Sequence, residues 1–153
     1  MFNTRLKQEL TALREELSSL LQVKESLESE MLCLTLDPEG RVEWANANFL
    51  QRMGYSLAQI QGKHHRMFCT PQEQNSAEYQ AFWQRLNAGE FVAARFQRID
   101  SHGRDVWLEA TYNPVVDESS GHVSKVIKFA VDVTAQVDEE IRTTALVTAI
   151  ERS

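Results

Sequence analysis

Hydrophobic positions change their spacing twice along the chain, and those changes divide it. Over residues 1–31 leucine recurs at Leu6, Leu10, Leu13, Leu17, Leu20 and Leu27, and Met31 closes the series. With Lys24 included the steps alternate between 4 and 3, an unbroken heptad seam free of Gly and Pro. Leu6, Leu13, Leu20 and Leu27 hold one core position, and Leu10, Leu17, Lys24 and Met31 the other. A single lysine in such a seam costs stability but favours a two-stranded, in-register pair. At about 1.5 Å per residue the helix extends roughly 45 Å, too long to lie over a domain of this size. The pattern predicts a homodimer through this N-terminal coiled-coil helix in preference to one helix folded on its own domain. Glu9 and Arg14 have the spacing for an interchain ion pair, worth little by itself.

From Leu32 the period shortens to that of strands. "LCLTLDPEGRVEWAN" reads as two strands around an Asp37-Pro38-Glu39-Gly40 turn. Short helices follow over Ala47–Met53 and Ser56–Gln61, each closed by a glycine, Gly54 and Gly62. "GKHHRMFCTPQEQ" reads as a loop or single turn broken at Pro71. Ser76–Asn87 is a stronger helix, capped by Ser76 and apolar at Tyr79, Phe82, Trp83 and Leu86. Three strands finish the unit: Phe91–Asp100, Arg104–Asp117 and His122–Asp132. Val106, Leu108, Ala110 and Tyr112 share one strand face, expected to meet the helices, and Trp107, Glu109, Thr111 and Asn113 share the outer one. Val92, Ala94 and Phe96 likewise share a face, as do Ile127, Phe129 and Val131. From Ala135 the spacing is helical again, with Asp132 or Thr134 as its cap. The order is that of an α+β fold, a five-stranded antiparallel sheet with short helices on one face. Its expected divisions are an N-terminal coiled-coil helix over 1–31, a domain over 32–134, and a connector helix over 135–153 that leads to a further domain.

Composition narrows the function classes. The chain has 153 residues, 42% of them hydrophobic, with 3 Trp, enough for one domain with a core. No apolar run approaches the roughly 20 residues that span a bilayer, and the start is no signal peptide. A net charge of −6 without a clustered basic face argues against nucleic acid. Cys33 and Cys69 are too few for a disulfide framework, which fits a reducing cytoplasm. No zinc-ligand spacing, glycine-rich phosphate loop or nucleophile–base–orienter set can be assembled, so an enzyme finds no support.

Motifs add a specific resemblance. "GRVEWANANFLQRMGY…LAQIQGK", with Gly40, Asn46, Phe49, Gly54, Tyr55, Gly62 and Lys63, resembles the opening signature of PAS domains. "GRDVWLEATYNPVVD" resembles their penultimate strand, and Asp132-Val133-Thr134 their closing signature. The resemblance covers about residues 32–136 and is strongest to PAS modules of bacterial soluble, tandem-PAS methyl-accepting chemotaxis receptors. It implies a sensor of ligand, gas or redox state whose flanking helices relay the change. It also implies a cytoplasmic receptor that reaches the chemotaxis kinase and coupling protein only through a signalling domain outside this chain. A ligand-free dimerisation scaffold, its pocket filled by side chains, is the alternative.

The residues expected to face such a pocket are His65, Phe68, Trp83, Phe96, Arg98, Leu108 and Tyr112. Adjacent His64 and His65 point about 100° apart on a helical turn, so at most one faces inward and offers a haem its axial ligand. His65, Met67, Pro71 and Trp83 match a pattern of flavin-binding aerotaxis PAS domains, but Cys69-Thr70 stand where that pattern has Arg-His. The cation suited to a flavin diphosphate is thereby lost. Haem and flavin stay open, with no cofactor favoured over either. His65 and Cys69 alone make a poor zinc site. The plainer reading has both histidines bonded to loop backbone and Phe68 in the core. Arg98 could hold an acidic ligand or form a salt bridge at the sheet edge.

Overall fold

The computed structural model describes residues 2–153. Residues 1–30 and 31–153 form two separate units. The first is the helix α1 (Phe2–Glu30), in which no residue is buried. Its seam leucines from Leu6 to Leu20 are exposed, Leu13 and Leu20 each 61%. Arg5–Glu9 and Lys24–Glu28 pair along the helix at i,i+4.

The second unit is a five-stranded antiparallel sheet in the order β2-β1-β5-β4-β3. Its strands are β1 (Leu32–Leu36), β2 (Val42–Ala45), β3 (Val92–Ile99), β4 (Asp105–Val116) and β5 (Val123–Asp132). Between β2 and β3 run α2 (Ala47–Met53), α3 (Leu57–Ile60), a 3-10 turn (His65–Phe68), α4 (Pro71–Gln74) and α5 (Ala77–Asn87). The chain closes with α6 (Thr134–Arg152). Phe49, Met53, Ile60, Phe68, Phe82 and Leu86 from the helical side join Leu34, Leu36, Val106, Leu108 and Tyr112 of the sheet in one core.

Local chemistry sets these elements. Asn46 caps α2 and ties it to β1: its Oδ1 accepts the N–H groups of Phe49 and Cys33, each at 3.0 Å. Ser56 and Gln59 close a reciprocal capping box on α3. Pro71 does not break the chain as the sequence pattern suggests. It starts α4, with Thr70 as the cap, because proline's fixed φ suits the first helical turn. The start of α6 also differs. Val133 occupies the cap position, and Asp132 Oδ1 takes the Thr134 N–H at 2.9 Å.

Two strand faces depart from expectation. In β3, Phe96 is half-buried but Ala94 is exposed, because β3 is an edge strand. In β5 the buried positions are Val123, Val126, Lys128 and Ala130, so Ile127, Phe129 and Val131 lie on the outer face. Trp107 lies on the outer face of β4 as expected, and its backbone receives the start of α6: Val133 N–H donates to Trp107 C=O at 2.8 Å.

Candidate functional site

The segment His64–Cys69 is held from two sides. The hairpin turn grips its beginning: His65 N–H donates to Gly40 C=O at 2.7 Å, and Val42 N–H to Lys63 C=O at 2.8 Å. Gly40 has φ +88°, and a Cβ there would stand 2.7 Å from His64 Nε2, so the turn requires glycine. The far end lies along edge strand β3, where Cys69 bridges to Arg98. This clamp turns the two histidines apart. His64 Nδ1 accepts the Arg66 N–H at 3.0 Å and caps the 3-10 turn, while His65 is buried.

His65 does not bond loop backbone through its ring. Its Nδ1 lies 2.8 Å from Tyr79 Oη on α5, and its Nε2 2.9 Å from Tyr112 Oη on β4. Arg98 Nη2 donates to Tyr112 Oη at 3.2 Å. With Tyr112 Oη already accepting from Arg98, its own proton can go to Nε2, leaving the hydrogen of a neutral imidazole on Nδ1 for Tyr79. Burial holds His65 well below the usual histidine range, with Arg98, Lys128 and His64 adding to the shift. It is an uncharged hydrogen-bond bridge between two phenols at neutral pH. Burial also pushes the Tyr112 phenol up to about 12 and raises the Tyr79 phenol and the Cys69 thiol.

Two cations complete the cluster. Arg98, with its side chain 1% exposed, pairs through Nη1 with Glu73 of α4 at 2.8 Å, and its guanidinium lies over Phe96 at 4.7 Å. Lys128 of β5 faces inward beside Tyr112, its Nζ 4.9 Å from the centre of that ring and 5.7 Å from that of Phe49. Neither Arg98 Nε nor Lys128 Nζ has a hydrogen-bond partner among the described residues. Burial, then the charge of Arg98, drives the lysine well below the usual amine range.

The structure thus brings His65, Arg98, Phe96 and Tyr112 together. Phe68 is buried edge-on to His65, with ring centres 6.1 Å apart. Leu108 is buried on the same face of β4 as Tyr112. Trp83 is half-buried and lines an outer groove of about 520 Å³ with His64, Arg66 and Gln84. Sequence reasoning missed Lys128, Glu73 and the Tyr79 hydroxyl. The alternation of Val126, Lys128 and Ala130 was the available signal for the first.

The arrangement does not fit a haem, since both His65 nitrogens are engaged by phenols and neither is turned to a metal. Phe82 and Tyr112 meet edge-on at 4.8 Å beside His65. Among the described residues no group of three or more His, Cys, Asp or Glu side chains is placed to hold a metal ion. No helix among them is long and apolar enough to cross a membrane.

Residues 28–138 match the family described as PAS fold. The chain is 44% identical over 110 residues to the biofilm dispersion protein BdlA of Pseudomonas aeruginosa, covering 72% of this chain and 26% of that protein. It is 30% identical over 110 residues to the aerotaxis receptor of Escherichia coli, covering 72% of this chain and 21% of that receptor. The chain therefore spans about a quarter of the length of these relatives. An RNA-binding light-oxygen-voltage receptor shares the fold, with a TM-score of 0.65 at 21% identity over 82% of this chain and 36% of that one.

Proposed function

From the premise that this chain belongs to the PAS-fold family, we propose that it is the sensory module of a cytoplasmic, chemoreceptor-type signal transducer. It forms a homodimer through α1 and relays the state of its interior through α6. The observation that carries this reading is the junction at Asp132-Val133-Thr134. There one short segment is tied to α2 through Arg52–Asp132, to β4 through Trp107, and to the helix that leaves the domain. A change that shifts α2 or β4 around the polar cluster has a direct mechanical route to α6. The similarity to an aerotaxis receptor and to a dispersion protein supports a signalling role. The exposed seam leucines Leu6, Leu10, Leu13, Leu17 and Leu20 support the dimer, since a heptad stripe left in water is costly.

A ligand-free dimerisation scaffold is the second reading, and the close ring packing of the interior favours it. Tyr112→Phe separates the two. It removes only the hydroxyl shared by His65 and Arg98. In a sensor, amide exchange in the first turns of α6 changes relative to the wild type. In a scaffold, exchange changes only beside the mutation. For the dimer, Leu13→Glu with Leu20→Glu in the full chain gives a monomer at micromolar concentration. A persisting dimer in sedimentation would place the main contact elsewhere.

A further inference from the structure

The interior cluster holds two cationic side chains against one carboxylate, and that carboxylate is unlike the rest of the cluster. Glu73 is 28% exposed at its side chain and sits on α4, a single helical turn at the edge of the domain. It reaches inward to Arg98 Nη1, whose own side chain is 1% exposed. The other Arg98 groups are distributed on fixed partners. Nη2 donates to Tyr112 Oη, and Nη1 also donates to the Gln97 carbonyl at 3.1 Å. Nε is left over, as is Lys128 Nζ over the Tyr112 ring. A buried amine and a buried guanidinium N–H without acceptors are expensive, and folded proteins retain such groups rarely.

We propose that this cluster is a binding site for a small organic carboxylate, and that Glu73 is its internal stand-in. The incoming carboxylate takes the place of Glu73 on the Arg98 fork and offers its second oxygen to Lys128 Nζ. Glu73 swings to solvent, carrying α4 with it. The inference rests on the sensory reading above and names the ligand class of that site. Three observations converge on it. Glu73 shows that a carboxylate oxygen fits against Arg98 Nη1 at 2.8 Å. The unpartnered Lys128 amine lies over the ring of the same tyrosine whose hydroxyl accepts from Arg98 Nη2, so both basic side chains stand beside one phenol. The incoming carboxylate group needs only the space that the Glu73 carboxylate vacates, while the edge-on packing of Phe82, Phe96 and His65 against Tyr112 admits no large ring system. Displacing Glu73 frees the α4 edge next to Cys69, whose carbonyl accepts from Gln74 at 3.2 Å, so occupancy alters the segment that carries His65.

The test is a titration of the full chain with sodium acetate, propionate and pyruvate at fixed ionic strength. Sodium chloride and sodium phosphate serve as controls, and the readout is the Arg98 Nε–H nuclear magnetic resonance signal. The expected result is a saturable shift with the carboxylates and none with chloride. Glu73→Gln removes the competing carboxylate and tightens binding by about tenfold, as the loss of one charged hydrogen-bonded rival implies. Lys128→Met, which keeps the volume, weakens binding by about tenfold. A shift with phosphate alone, no shift in wild type and Glu73→Gln alike, or undiminished binding in a folded Lys128→Met protein each overturns the carboxylate site. If α6 still answers Tyr112→Phe while no carboxylate binds, the sensory reading stands and this inference falls.

Discussion

Lys128 stands directly opposite Tyr112 in the β4–β5 ladder, with its Nζ 4.9 Å from the centre of the tyrosine ring and both side chains fully buried. The ring face offers the amine an electrostatic contact in place of a hydrogen bond. That contact does not restore the solvation lost on burial, and Arg98 nearby opposes a second positive charge. Position 128 is therefore unfavourable for stability, which gives it the character of a retained functional group.

Lys128→Met should stabilise the fold. Methionine keeps the unbranched shape and lacks the orphaned amine, so about 1–3 kcal/mol of desolvation penalty is relieved. Urea unfolding of the two proteins checks this, the expected sign being a higher midpoint for the variant. A lower midpoint would show that the amine makes an interaction worth more than its burial costs.

Stability should fall on acidification above the range where carboxylates titrate. The folded pKa of His65 lies well below 6.5, so between those values the unfolded chain binds the extra proton and stability rises with pH. Lys128 has the same sign at higher pH: its folded pKa lies well below 10.5, and stability rises with pH through that window. Asp100, Asp117 and Asp132 are held below 3.8 and act lower on the scale. Unfolding free energies between about pH 5 and pH 8 should slope upward. His65→Gln should flatten the acid part of that slope, and Lys128→Met should flatten the rise that continues toward pH 10.5. Equal slopes in all three proteins would exclude both groups as the source.

What could be read from the sequence depended on how many residues vote. The hairpin, the α5 face and the inward parity of β4 each rest on several apolar positions in register, and all three stand in the structure. In β5 the apolar vote misleads. Ile127, Phe129 and Val131 outnumber the inward set in bulk, yet the ladder aligns Lys128 with Tyr112 and Ala110 with Ala130, so the lysine faces the core. Parity in a strand is inherited from its partners, and pairing is invisible in one sequence. The helical angle allowed only one of His64 and His65 to face inward, and the partners that hold His65 there, Tyr79 and Tyr112, lie 14 and 47 residues away. Arg98 posed a choice between ligand and salt bridge, and the salt bridge it makes is to Glu73 of α4, a helix hidden behind Pro71.

Asn46→Ala should cost about 2–3 kcal/mol, as the sum of a lost cap and a buried donor left to find another acceptor. Its Oδ1 serves Phe49 and Cys33, and its Nδ2 donates to the Met31 carbonyl at 2.8 Å, so one side chain joins α2 to the start of β1. Asn46→Asp keeps the acceptor and loses only the donor, and should fall between the two in urea unfolding. If the alanine variant matches the wild type, the link is dispensable.

Arg52→Ala should loosen α6 without unfolding the domain. Its guanidinium pairs with Asp132 and also donates to Thr134 Oγ1 at 3.3 Å, and both carboxylate and guanidinium are about one-third exposed. Such a half-exposed pair contributes at most about 1 kcal/mol to global stability. Its local leverage is larger, because Asp132 also takes the Thr134 N–H at 2.9 Å and Thr134 Oγ1 accepts the Trp107 N–H at 2.9 Å. Without Arg52 the first turn of α6 keeps its attachment to β4 and loses the one to α2. Amide exchange over residues 134–140 should then rise severalfold while the slowest core amides in β4 and β5 hardly change, the signature of local opening. Thr134→Ala should raise exchange over the same residues further, since it releases the β4 attachment too. A rise in step with the core amides would mean that the pair acts on the whole fold, and that α2 has no separate hold on the departing helix.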